Sequence, residues 1–349
     1  MKYSNNQISK AGKIIISSKD KDEYKRAVEI INDWRSLHLP ALDELRGALL
    51  STLYGKNIRI YLVSHRLKRF PSIQNKLDRN PDSKLGTLQD IGGLRIVVPT
   101  MSVLKKALDI ILKNVPEHFE LTKSPINYIE TPKPISGYRS VHLVYKYHSD
   151  NVNLDGVKIE LQLRTKLQHS WAMAVETAEL ISNSALKASQ GDENWMDFFK
   201  TVSSLFAIKE QCPILEEHVK NGLSQRNLMI KLYHINKEHN FNDKLKALSI
   251  STNFAKKDNY KDGYYILYIK FDTKIVRVIP FPKESEKDAS ELYSRLEKIL
   301  EENKNAVVLV SVPKMRELQE AYPSYFLDTT EFLKEVDAMM RDCKKLRLV

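Results

Sequence analysis

Residues 157–164, Val157-Lys158-Ile159-Glu160-Leu161-Gln162-Leu163-Arg164, alternate apolar and polar side chains without a break. A strand repeats its side-chain direction every two residues, so Val157, Ile159, Leu161 and Leu163 share one face and Lys158, Glu160, Gln162 and Arg164 the other. The first face belongs in a core. The second is a row of acid, amide and base, which a plain solvent-facing sheet surface also carries, so its neighbours must decide its meaning. Upstream, Val141 to Tyr147 reads as another strand, with His142, Val144 and Lys146 on one face. The loop Lys133-Pro134-Ile135-Ser136-Gly137-Tyr138-Arg139-Ser140 leads into it, rich in donors and with an aromatic at its exit. Downstream, residues 166–251 carry almost only helical periodicity, beginning with Trp171, Val175 and Ala178.

Further out, strands and helices mix. Tyr24, Val28, Ile31 and Trp34 recur at helical spacing, with an interruption at Pro40 before a second helix from Ala41. Ile58 to Ser64 reads as a short strand feeding a basic loop, and Ser72 after Pro71 as the cap of a helix to Arg79. Gly92-Gly93 precedes the β-branched run Leu94 to Val98; a helix over Met101 to Lys113 and a strand over Ile126 to Glu130 follow. Beyond residue 252, Tyr264 to Lys270 and Lys274 to Pro280 form a hairpin pattern around Phe271-Asp272-Thr273. A helix (Ala289 to Glu302), a strand (Ala306 to Val312) and two short helices complete the chain. The expected architecture is mixed α/β (α+β): a catalytic-type domain over 1–190 with a mixed sheet flanked by helices, a helical connector over 191–251, and a small α+β domain over 252–349.

Composition narrows the function classes. The chain has 349 residues, 42% hydrophobic and 28% charged, near globular averages. Two cysteines far apart and a Lys-rich start without an apolar stretch argue against a disulfide scaffold and secretion, giving a cytoplasmic expectation. No run approaches the length of a membrane span. The net charge of +11 is uneven: residues 1–190 carry 29 Lys and Arg against 19 Asp and Glu, whereas residues 191–349 carry 26 against 25. A polyanion partner, nucleotide phosphate or RNA, fits that field, as does a merely solvated basic face.

Phosphoryl-type transfer needs cations on the phosphates, a carboxylate pair for magnesium, and a means of orienting the nucleophile. Glu160 is one carboxylate and Asp90, just ahead of Leu94 to Val98, the natural second; Arg66, Lys68 and Lys76 are the donors. There is no G-x-x-x-x-G-K-[ST] and no G-x-G-x-x-G, which argues against a P-loop enzyme. His142 lacks Cys or His partners at zinc-ligand spacing, so a hydrogen-bonding role is favoured over a metal one. The cysteines have no nucleophile pattern and read as small hydrophobes.

Five blocks now resemble one family in order: Ser64-His65-Arg66-Leu67-Lys68-Arg69-Phe70-Pro71-Ser72-Ile73, Leu88-Gln89-Asp90-Ile91-Gly92-Gly93-Leu94-Arg95, Gly137-Tyr138-Arg139-Ser140-Val141-His142, Ile159-Glu160-Leu161-Gln162-Leu163-Arg164-Thr165 and His169-Ser170-Trp171-Ala172. They are similar to the RelA/SpoT nucleotide pyrophosphokinase domain, and Asp33-Trp34-Arg35 with Val175-Glu176-Thr177 resemble its toxic small alarmone synthetase branch. The resemblance implies that Arg66 and Lys68 hold the phosphates of ATP and that Asp90 binds Mg2+. It implies that Glu160 binds the metal or activates the attacking hydroxyl, that Tyr138 stacks on the acceptor base, and that His142, Gln162 and Arg164 order the acceptor. No His-Asp dipeptide occurs, so the hydrolase of longer members is not expected.

The acceptor implied by the toxic branch is the 3′ end of tRNA, with GDP or GTP, giving (p)ppGpp, as the alternative; DNA and membranes are not expected partners. Ala321-Tyr322-Pro323-Ser324-Tyr325-Phe326 reads on its own as a packed aromatic turn. A Tyr-x-x-Tyr after a β-hairpin also resembles the CapRel type of fused toxin-antitoxin proteins. That resemblance implies that Tyr322 and Tyr325 occupy the adenine site as an autoinhibitory plug in a phage-defence enzyme. A phage structural (capsid) protein would release it, docking on the hairpin and Val308 to Val312.

Overall fold

The computed structural model describes residues 3–185, 191–246, 261–270, 275–299, 305–314 and 329–347. Its strands are β1 (Leu62–Leu67), β2 (Gly92–Val98), β3 (Phe119–Leu121), β4 (Ile126–Asn127), β5 (Val141–Tyr147), β6 (Lys158–Thr165), β7 (Lys261–Lys270), β8 (Ile275–Pro282) and β9 (Asn305–Lys314). All nine join one sheet in the order β3-β5-β6-β2-β1-β9-β7-β8, with β4 beside β5. Every described pairing is antiparallel except β2 with β6. The mixed α/β class expected from the sequence is the observed one.

The apolar face of this sheet is the main core. Ile96, Ile159, Leu161 and Leu163 pack under Leu42, Leu45 and Leu49 of α3 (His38–Gly55) and Leu104, Ala107 and Ile111 of α5 (Met101–Lys113). Tyr264, Ile266, Val307 and Leu309 continue the same cluster, joined by Ala289 and Tyr293 of α11 (Glu286–Ile299). The hairpin expected near 264–280 does form. β9 lies between β1 and β7 with Val307 to Val310 buried, so these residues pack into the chain's own core. The fusion is reinforced by Tyr264, whose hydroxyl donates to Asp43 at 2.5 Å and Glu286 at 3.2 Å.

A second cluster is helical. It joins α6 (Lys166–Ala185), α7 (Gly191–Lys209), α9 (Gln225–His239) and α10 (Phe241–Lys246), while the short α8 (Glu216–Lys220) is tied to α7 through His218 Nδ1, 2.8 Å from Ser204 Oγ; these are the helices expected of 166–251. Phe332 of α12 (Thr330–Lys345) sits 5.8 Å from the ring of Phe199 and 5.9 Å from that of Phe206. Cys343 is buried here as a small hydrophobe, whereas Cys212 is half-buried. A third cluster packs Ile8 and Ile15 of α1 (Asn5–Ser17) and Ile31 and Trp34 of α2 (Lys21–Ser36) against Phe70, Ile73 and Leu77 of α4 (Phe70–Arg79).

Several boundaries differ from the sequence reading, and four of them have a clear physical cause. The strand placed over 58–64 is β1 at 62–67, because antiparallel pairing with β2 runs from Leu62↔Val97 to Leu67↔Gly92 and draws His65 and Arg66 into the ladder. The helix expected after a Ser72 cap starts at Phe70 with proline in its first turn, where a missing N–H costs nothing. For the same reason Pro40 lies inside the first turn of α3, which begins at His38 instead of Ala41. Only Ile126 and Asn127 of the strand expected to reach Glu130 pair with β5, and Asn127 Oδ1 then accepts from Ile129 N–H at 3.0 Å in a turn.

Candidate active site

Cross-strand partners point to the same side of a sheet, so the registers assemble the site. One row runs Arg66 (β1), Gly93 (β2), Glu160 (β6) and Val144 (β5); the next runs Ser64, Arg95, Gln162 and His142. Gly93 puts no side chain between Arg66 and Glu160, leaving a cleft lined by Ser64, Arg66, Lys68, Asp90, Arg95 and Glu160. The Glu160 row is therefore no bland surface: it forms the floor of a polar cleft.

Asp90 precedes β2 and meets two ammonium groups. Lys68 Nζ donates to Oδ2 at 2.8 Å, and Lys76, carried by α4, lies 3.0 Å from both oxygens. Burial works against the Asp90 charge, but Lys68 and then Lys76 outweigh it and hold the carboxyl below its ordinary range. Asp90 is thus ionised and its cations are poised beside it.

Glu160 closes a ring of side chains. His142 Nδ1 lies 3.0 Å from Oε1, and Gln162 Nε2 donates to Oε2 at 2.8 Å. Arg164 donates to Gln162 Oε1 at 2.9 Å and to the Tyr138 hydroxyl at 2.6 Å, and that hydroxyl lies 2.7 Å from His142 Nε2. Burial raises the Glu160 carboxyl, yet the His142 and Gln162 contacts prevail and lower it even with Asp90 opposing. Both carboxylates carry charge at neutral pH.

The loop before β5 is set from α7. Gly137 has φ 79°, and a β-carbon there would come within 3.0 Å of Ser203 Cβ, so both backbone and space demand glycine. Ser203 Oγ donates to the Gly137 carbonyl at 2.5 Å and accepts from Arg139 Nε at 3.1 Å. Tyr138 is held between Arg164, 5.0 Å from its centroid, and the exposed Lys133, 5.1 Å away, with Tyr128 edge-on at 5.9 Å. Lys133 also lies over the Tyr128 ring, 4.8 Å from its centroid.

Two groups form, then: Lys68 and Lys76 on Asp90, and the ring of Glu160, Gln162, Arg164, Tyr138 and His142, with Arg66 lining the same cleft in the Glu160 row. Tyr322 and Tyr325 lie outside the described residues. Sequence reasoning passed over Arg95, which period-two counting from Gly93 places on the Glu160 face, and Glu176 of α6, 3.9 Å from both Arg66 and Arg95. Among the described residues no cluster of three His, Cys, Asp or Glu side chains suits a metal, and no helix is long and apolar enough to cross a membrane. Magnesium asks for less, one or two carboxylates plus substrate phosphates, and Asp90 and Glu160 on one cleft satisfy it.

Comparison with known proteins shows the family. A family model described as a region found in RelA / SpoT proteins matches residues 65–181. The GTP pyrophosphokinase YwaC of Bacillus subtilis is 31% identical over 159 residues, covering 41% of this chain and 73% of that protein. Among solved structures, small alarmone synthetase 2 from Bacillus subtilis is 26% identical with a TM-score of 0.42, covering 54% of this chain and 95% of that one. Small alarmone synthetase 1 from the same organism, bound to AMPCPP, is 22% identical with a TM-score of 0.37, covering 50% and 90%. With β1, β2, β5 and β6 carrying the matched blocks, the chain belongs to the RelA/SpoT synthetase family of pyrophosphokinases.

Proposed function

We propose that this protein transfers the terminal pyrophosphate of ATP to the 3′-hydroxyl of a guanosine nucleotide. The acceptor follows the names of the relatives; the observation that carries the reaction is the meeting in one cleft of a cationic group and a carboxylate–amide group. Arg66, Lys68 and Lys76 bind the donor phosphates. The acceptor oxygen attacks the β-phosphorus, the bond from that phosphorus to the α–β bridging oxygen breaks, and AMP leaves with the bridging oxygen. Glu160, oriented by His142 and Gln162, takes the proton of the attacking hydroxyl as its oxygen bonds to phosphorus, while Tyr138 offers its ring to the acceptor base. Asp90 and Glu160 would hold Mg2+, which supplies charge neutralisation at the phosphates. Positioning and electrostatics suffice, so no covalent nucleophile is needed.

The surplus of 10 positive charges in residues 1–190 favours a second acceptor, the 3′ end of tRNA, since Lys and Arg contacts give RNA affinity without sequence preference. On that reading the chain is a translation-blocking toxin released by a phage protein. The test incubates γ-labelled ATP and magnesium with GDP, GTP and deacylated tRNA separately. Label in GDP or GTP supports the main reading; label in tRNA alone replaces it with the second; label in none refutes both.

A further inference from the structure

Helix α4 starts without a cap of its own, since Arg69 at the cap position makes no side-chain hydrogen bond there. The acceptor comes from 227 residues away: Glu297 Oε1, on α11, receives the Phe70 N–H at 2.9 Å. The same carboxylate receives Arg35 NH1 at 2.9 Å and the Tyr293 hydroxyl. Arg35 NH2 then donates to the Lys68 carbonyl at 2.7 Å and to the Tyr293 oxygen at 2.8 Å. The pair is almost sealed from solvent, with side chains 2% and 7% exposed. Residues 68–70 are therefore clasped at both ends, the Lys68 carbonyl by Arg35 and the Phe70 amide by Glu297.

Lys68 is the residue whose ammonium lies on Asp90 in the cleft. The strand leading into it is fixed from the same side of the molecule, because β9 pairs with β1 at His65↔Ser311 and Arg66↔Val310. Burial works against the Arg35 charge, but Glu297 and Tyr293 outweigh it and hold the guanidinium firmly charged. A side chain that must meet a phosphate inherits its aim from its backbone, and displacement by about 1 Å can cost on the order of 100-fold in rate.

We propose that Glu297, acting with Arg35 and Tyr293, is a positioning residue for the donor site: it sets the backbone of residues 68–70 so that Lys68 meets the phosphates of ATP. The C-terminal helix α11 is then a working part of the synthetase. The inference rests on the assignment of Arg66 and Lys68 to the donor.

A buried pair that merely stabilises the fold would look the same, so the test separates the two roles. Replacing both partners of a buried ion pair by apolar residues is often neutral for stability, whereas removing one strands a charge. Full-length wild type, E297Q and the double variant R35M/E297M are compared by thermal melting, by calorimetric affinity for AMPCPP with magnesium, and by steady-state kinetics. The double variant is expected to fold but melt below wild type, since the Lys68 carbonyl and Phe70 N–H lose their partners, to bind AMPCPP about 10-fold more weakly, and to lose transfer about 100-fold. Its KM for the acceptor stays within about twofold, and E297Q, which keeps an acceptor for Phe70 N–H, recovers most of the AMPCPP affinity. A folded double variant with wild-type AMPCPP affinity and transfer overturns the proposal. If the double variant fails to fold, Y293F decides: AMPCPP binding weakened by about threefold supports the clasp, and unchanged binding overturns it. A wild-type chain that binds AMPCPP but transfers nothing refutes the functional reading while the affinity comparison still decides the clasp. A wild-type chain that does not bind it refutes both.

Discussion

Asp90→Asn separates charge chemistry from folding. The carboxylate holds two ammonium groups at 2.8 and 3.0 Å, but Lys68 and Lys76 are 21% and 36% exposed and Asp90 itself 22%, so water screens both pairs. Each such contact contributes no more than about 1 kcal/mol. Asparagine keeps the shape and one oxygen, so the expected loss of stability is about 1 kcal/mol, a melting shift of roughly 4 °C or less. Activity responds differently. Removing one preorganised electrostatic group lowers turnover by about 100- to 1,000-fold, or roughly 3–4 kcal/mol of transition-state stabilisation. Asp90 also neutralises the cations meant for the donor, so its loss leaves Lys68 and Lys76 more attractive to phosphate; AMPCPP affinity without magnesium rises while magnesium-dependent transfer falls. The assay pairs calorimetry, with and without magnesium, with transfer of label from γ-labelled ATP. Magnesium-dependent transfer within about tenfold of wild type refutes the carboxylate assignment.

Three further outcomes are expected. Glu160→Gln leaves one oxygen for two donors, His142 and Gln162, and costs about 1–3 kcal/mol in urea unfolding, with transfer down by about 100- to 10,000-fold; unchanged transfer removes Glu160 from the chemistry. His38 is buried with Nδ1 3.1 Å from the Trp34 carbonyl, and burial lowers its pKa from 6.5 to about 4. The unfolded chain takes up this proton first, so stability is full above pH 6.5 and falls by about 3 kcal/mol as pH drops towards 4. His38→Gln flattens that part of the pH profile of urea unfolding, and an unaltered profile contradicts the assignment. Phe332→Ala empties a site among Phe198, Phe199 and Phe206 and costs about 3–5 kcal/mol by denaturant titration; a cost below about 1 kcal/mol means α12 is not docked there.

The sequence by itself determined the period-two face of Val157 to Arg164, the Gly92-Gly93 pair, the helical run after Lys166 and the residue types of the cleft. These are local signals: strand alternation and helical spacing are written in neighbouring residues, and the five blocks name their own chemistry. Asp90, Glu160 and Arg66 could be picked out by residue type for that reason, whereas the roles expected of Tyr138 and His142 came from the family resemblance. Tertiary structure alone decided which rows lie side by side, because the register Arg66↔Gly93↔Glu160 depends on pairings between strands about 30 and 70 residues apart. It also decided where the C-terminal strands go. A hairpin pattern at 264–280 shows that two strands pair, but not that β9 adds to the β1 edge, since an edge accepts any strand that covers it. Glu297 gave no signal, and Arg35 only a place in the Asp33-Trp34-Arg35 block with no task attached: an arginine in one amphipathic helix and a glutamate in another read as ordinary polar positions. Only the packed fold, by burying both and leaving two backbone groups of residues 68–70 in need of partners, gives them a task.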